Sequence, residues 1–175
     1  MKNNTILLFL ILIFGFGINN QVSSEEFIFE SSYLEVKDNG NIIEAKNGVT
    51  VKSKNNIEIT AKNSFYNRSN LNLLLQKKVE LYDKERNIKI TSEEINYNKN
   101  IEEIKSNGKT YVYLTDGYTI ITENLKYSKK DNIIQSKFKT TLIDKFGNEI
   151  TATNFKYLVN KKLFHGNNIN MIDAN

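Results

Sequence analysis

The chain has 175 residues, enough for one domain, and carries no Cys, no Trp, no Pro and a single histidine, His165. That composition excludes a disulfide framework and a thiolate or Cys/His metal site, and leaves any Ser-His-Asp chemistry resting on one imidazole. The net charge of +4 is spread over interspersed Lys and acidic residues, as on a solvated face; nucleic-acid binding would want a concentrated basic stripe.

Residues 1–24 read as an export signal. Lys2 gives the positive start, Thr5 to Ile18 form an apolar run of 14 residues, and Val22-Ser23-Ser24 offer the small side chains a signal peptidase reads before Glu25. The run is short of the ~20 residues needed to span a bilayer; a retained short anchor is the alternative. No Cys follows it, which excludes a lipoprotein anchor. The folded unit then spans 25–175 and works outside the cytoplasm, with no access to ATP.

After the signal, turn chemistry and apolar runs alternate. Asp38 to Asn41 read as a turn, and Asn47-Gly48 opens a strand through an Asn-Gly turn. Ile57-Glu58-Ile59-Thr60-Ala61 and Ile88-Lys89-Ile90-Thr91-Ser92 alternate with period two, the signature of a strand with one buried face. Asn70 to Asp83, Thr110 to Gly117 and Thr141 to Asn148 are apolar runs that end in residues tolerant of positive φ. In isolation Thr91-Ser92-Glu93-Glu94 would open a helix, but no i, i+3, i+4 apolar stripe follows it. The spacing predicts roughly a dozen short strands and no helix to cover them, so the buried faces must meet each other in a sandwich, jelly roll or solenoid.

One phrase recurs. Tyr66, Tyr97, Tyr127 and Tyr157 are spaced by 31, 30 and 30 residues, and seven residues before each stands Ile59, Ile90, Ile120 or Ile150. One repeat earlier Ile28 keeps the spacing. Small side chains (Ala61, Ser92, Thr122, Ala152) follow each of the four isoleucines by two. Ile95, Leu125 and Phe155 precede their tyrosines by two, with Ser64 as the exception. Between the halves, Asn63, Glu94, Asn124 and Asn154 are always polar. A fixed period in the range of 20–50 residues signals a repetitive architecture. The offset of seven is odd, so a regular strand would put isoleucine and tyrosine on opposite faces. A bulge or tight turn at the polar column keeps both inside.

The phrases in Asn47 to Asn67, Lys78 to Asn98, Asn107 to Tyr127 and, less fully, Thr141 to Tyr157 resemble the periplasmic lipopolysaccharide-transport family. That family (OstA-like, organic solvent tolerance proteins) includes the soluble bridge LptA and the N-terminal domain of the outer-membrane assembly protein LptD. The resemblance covers nearly all of residues 27–172. It departs at the turn, where the family's Gly-Asn-Val is Asn-Gly-Val at 47–49 and Lys-Lys-Val at 77–79. It departs again after the isoleucine strand, where Ala-Asp becomes Ala-Lys, Ser-Glu, Thr-Glu and Ala-Thr. The resemblance implies an all-β, twisted antiparallel jelly roll of ~30-residue repeats with open edges. It also implies a periplasmic location, with association to the outer membrane as a further expectation.

The function so implied is binding of lipopolysaccharide acyl chains in an apolar groove and their transport towards the outer membrane. Partners would be lipopolysaccharide, other Lpt proteins or a second copy added edge to edge, and the outer-membrane assembly machinery, but no nucleic acid. Candidate lipid-contacting residues are Ile28, Ile59, Ile90, Ile120, Ile150, Ile95, Leu125, Phe155, Tyr97 and Tyr127, each of which serves equally as core packing. No residue pattern calls for a metal, a cofactor or a nucleotide. The alternative is a ligand-free structural repeat, a β-solenoid or adhesin with a filled core. An enzyme reading would need Glu93/Glu94 or Glu102/Glu103 as an acid pair, but adjacent glutamates in a strand point to opposite faces. His165 reads as a surface or turn residue. Asn67-Arg68-Ser69 matches a glycosylation sequon by chance.

Overall fold

The computed structural model describes residues 27–174; the expected signal segment 1–24 lies outside the described residues. Thirteen strands follow in chain order. They are β1 (Phe27–Lys37), β2 (Ile42–Ser53), β3 (Ile57–Ala61), β4 (Asn63–Asn67), β5 (Asn72–Asp83) and β6 (Ile88–Asn98). Then come β7 (Glu103–Tyr113), β8 (Thr119–Glu123), β9 (Lys126–Ser128), β10 (Ile133–Ser136), β11 (Thr140–Ile143), β12 (Glu149–Leu158) and β13 (Leu163–Ile172). Every pairing is antiparallel. The described residues hold no α-helix, only two 3₁₀ turns at Asp38–Gly40 and Val159–Lys161.

Each long strand is broken near its middle. The register of β5 against β6 shifts between Gln76 and Val79, that of β6 against β7 between Ser92 and Glu94, and that of β12 against β13 around Thr153. On β2 the break falls between its pairing with β4 and its pairing with β3. Residues at the breaks take positive φ: Asn47 (63°), Lys77 (67°), Gly108 (78°), Asn124 (49°) and Asn154 (47°). Each long strand therefore gives one half to one layer and the other half to a second layer, and the two layers fold face to face along this seam. Pairing closes on itself twice, through β2–β3–β5–β4 and through β7–β8–β11–β12–β10–β9. The result is a flattened antiparallel jelly roll whose end strands, β1 and β13, each pair on one side only among the described residues.

The repeat becomes two rows of side chains. In the first layer one inward row runs Phe29, Val51, Ile59, Leu81, Ile90, Val112, Ile120, Leu142, Ile150, Met171 across neighbouring strands. In the second layer the facing row runs Val36, Ile43, Tyr66, Leu73, Tyr97, Ile104, Tyr127, Ile134, Tyr157, Phe164. The isoleucine and tyrosine columns thus occupy every second strand of their rows. The kink at Asn124 and Asn154 restores the parity that their odd spacing would otherwise break. Burying each such side chain stabilises the fold by about 1.5–3 kcal/mol, which makes these rows its main support.

Candidate functional site

Next to the seam the first layer buries the small residues Ala61, Ser92, Thr110, Thr122, Thr140 and Ala152, while in the second layer Ala45 and Ser106 alternate with the larger Leu75, Ile95, Leu125 and Phe155. Their hydroxyls satisfy each other and the bulged backbone. Thr110 Oγ1 donates to Ser106 Oγ at 2.6 Å, Thr122 and Thr140 share a bond of 2.8 Å, and the Leu125 N–H donates to Ser106 Oγ at 2.9 Å. This explains the column of small residues two after each isoleucine. Farther from the seam come the isoleucine and tyrosine rows.

Eight of the sequence-derived candidates meet in this interior. Ile59, Ile90, Ile95, Ile120, Leu125, Phe155, Tyr97 and Tyr127 are all at most 1% exposed, and Ile150 is half-buried against them. Ile28 is not among them. It pairs with Lys52 on the outer face and is 56% exposed, while Phe27 and Phe29 on either side of it point inward. The rings decide this: Phe27 packs on Tyr66 and Tyr97 with centroids 5.0 and 5.8 Å apart, and Phe29 lies 5.7 Å from Tyr66. Period-two alternation lets the strand bury either the two rings or Ile28, and the rings offer more apolar surface.

The interior is shut in its middle and open at its ends. Ile90, Tyr97, Ile120 and Tyr127 touch neither solvent nor a void that would admit water. At the β1 end, Leu34 and Val36 share the inward face of Ala45 and Ile43 yet stay exposed. At the β13 end Met171, opposite Ile150, is 66% exposed. Phe164 alone on β13 packs inward, 5.0 Å from Phe155.

Opposite the seam lie the hairpin turns, and here the layers are held by polar groups. Asp83 continues the inward face of Val79 and Leu81 and is fully buried. It accepts a hydrogen bond of 2.8 Å from the Tyr127 hydroxyl in the other layer, with Lys129 Nζ at 3.5 Å and Arg86 at 3.4 Å. Lys129, itself 2% exposed, donates to the Asn55 carbonyl at 3.0 Å, and Arg86 reaches across to Asn132 and to the Lys129 carbonyl. Asn55 bonds Glu102, and Lys162 pairs with Asp116 at 2.8 Å. Burial, and after it the Asp83 carboxylate, hold the Tyr127 hydroxyl well above its ordinary titration range. Beside this network is a cavity of about 300 Å³ lined on one layer by Ile88 and Leu114 and on the other by Tyr157 and Val159, with Arg86 and Lys162 at its rim.

Sequence reasoning missed Asp83, Arg86 and Lys129. A signal existed: Asp83 falls two residues after Leu81, and Lys129 two after Tyr127, so period two already puts both charges on inward positions. The glutamate pairs do not meet as a catalytic couple. Glu94 is bound by Gln76 and Asn107, Glu103 by Lys105 and Lys126, and Glu102 by Asn55. His165 sits on β13 opposite Lys156, on the outer face.

No protein-family model matches the chain, and no curated protein sequence matches it. Among solved structures, one that the chain matches is LptH from Pseudomonas aeruginosa, described as the LptA-homologous periplasmic component of the lipopolysaccharide transport device. The match covers 85% of this chain and 95% of that one, with 10% identity and a TM-score of 0.36, and at that level it transfers no residue role.

Proposed function

We propose that the chain is an extracytoplasmic module that holds lipid acyl chains between its two layers, as a component of lipopolysaccharide transport. The observation that carries this reading is the apolar interior that runs from end strand to end strand and, among the described residues, is left uncovered at both, with Leu34 and Val36 at one mouth and Met171 at the other. A self-contained sandwich would cap those positions. A module in a series leaves them for its neighbour, and the free sides of β1 and β13 offer backbone groups for strand addition. Each buried CH₂ gains roughly 0.8 kcal/mol, so a twelve-carbon chain gains on the order of 10 kcal/mol before ordering costs.

The sealed middle favours a second reading, a structural repeat with a filled core and no ligand, because side chains with no adjoining void leave no slit for a chain. Native mass spectrometry of the purified protein mixed with lipopolysaccharide separates the two. The carrier gives a one-to-one adduct that survives gentle activation, whereas a filled structural repeat stays at the mass of the protein.

A further inference from the structure

We propose that the turn side of the sandwich is a lateral portal for an acyl chain, shut by a latch formed by Asp83, Lys129 and Arg86. This rests on the carrier reading and adds where the chain passes. On the seam side the backbone itself crosses between layers, so they cannot part there. Among the described residues the turn side is joined by side-chain contacts: Tyr127 and Lys129 to Asp83, Lys129 to Asn55, Asn55 to Glu102, Arg86 to Asn132, Lys162 to Asp116. If the layers separate, they hinge on the seam and open here.

The chemistry of the latch argues for opening. Buried ion pairs are poor at adding stability, and apolar residues of like size would hold a permanent joint at least as well. Groups at a joint that opens face water in the open state, where charged side chains are solvated and apolar ones are penalised. Asp83 and Lys129 occupy inward positions that follow Val79 and Leu81 on one strand and Leu125 and Tyr127 on the other, at the edge that water would reach first. The cavity of about 300 Å³ beside them is at the lower end of ligand-sized sites, and its floor includes the core residues Ile88 and Tyr157. Its rim carries two ion pairs, Arg86 with Glu85 and Lys162 with Asp116, which are solvated whether the joint is shut or open, while the apolar chain enters below.

The chain has no Cys, so introduced thiols are unique labels. Spin labels at Thr115→Cys and Asn160→Cys, exposed on opposite rims, report the gap by pulsed electron resonance. Asp83→Asn and Lys129→Met, each made separately, should enlarge the long-distance population at least tenfold while circular dichroism stays that of the wild type. In parallel, Asn55→Cys and Glu102→Cys are joined across the slit by a reducible bis-maleimide, and uptake of a fluorescent twelve-carbon fatty acid is timed. The bridge should slow uptake at least tenfold and its reduction should restore the rate, a result that needs no destabilising variant. Equal uptake with and without the bridge overturns the portal and leaves the carrier reading standing. An unchanged gap in both latch variants overturns the latch. A gap that widens without uptake by any form upholds the latch but contradicts the carrier reading, and with it the portal.

Discussion

The two long sides of the sandwich close it by different means. Along the seam, backbone crosses between the layers through bulges with positive φ, and buried hydroxyls bond one another and the bulged backbone. Along the turn side no backbone crosses within the strands, and a buried carboxylate with two cations and a tyrosine joins the layers. One side is a hinge by construction and the other a joint by side-chain chemistry. The difference shows how one repeat can build a firm wall and a separable one.

The largest expected effect lies on the turn side. Asp83→Ala strands Lys129 in the interior and should cost about 3–5 kcal/mol in chemical denaturation. The Asp83→Ala/Lys129→Met pair should recover a substantial part of that loss, because it removes the orphaned charge. If the pair is as unstable as the single variant, the latch is not an ion pair in the energetic sense. On the seam, Gly108→Ala meets no neighbouring atom but must hold a φ of +78°, so backbone strain alone sets its cost, about 1–2 kcal/mol. Its unfolding should remain two-state with unchanged inter-layer spacing. A seam variant that widened the gap as the latch variants do would erase the contrast between the two sides.

Tyr127→Phe sharpens the comparison through pH. The hydroxyl titrates above its unfolded value of about 10, so its contribution is complete below that pH and is lost as pH rises towards the folded value. Stability should fall faster above pH ~10 in the wild type than in Tyr127→Phe, which costs about 1 kcal/mol at neutral pH. Parallel alkaline curves would show that the bond to Asp83 does not matter. The smallest effects belong to the outer face: Ile28→Ala, and Lys52→Ala at its 2.7 Å pair with Glu30, should shift stability by less than about 0.5 kcal/mol each.

The regular part of the fold was legible because it is written four times. A single tyrosine says little, but four at a near-constant period, each seven after an isoleucine, fix a kink that the register shifts then display. Extending that column one repeat further to Ile28 failed for a physical reason. The first strand pairs on one side only, and its register answers to the packing of Phe27 and Phe29 rather than to the repeat. The latch was illegible for a different reason. Arg86 is only three residues from Asp83, but the partners in the other layer are far away in sequence, 44 residues for the Tyr127 to Asp83 bond, and only the folding of layer onto layer brings them together. Parity marked each as inward, but nothing in the chain says that two inward charges will be partners.

The central claim is that the inward rows take up acyl chains, and alternation is its sharpest signature. Photo-crosslinking residues placed singly along β6 and β8 in cells should capture lipopolysaccharide at the inward positions Ile90, Tyr97 and Ile120. The outward neighbours Thr91, Asn96 and Ile121 should give little or no adduct. A period-two pattern of adducts is the predicted result. Adducts that ignore the alternation, or inward positions that yield none while the protein is folded and exported, would contradict it.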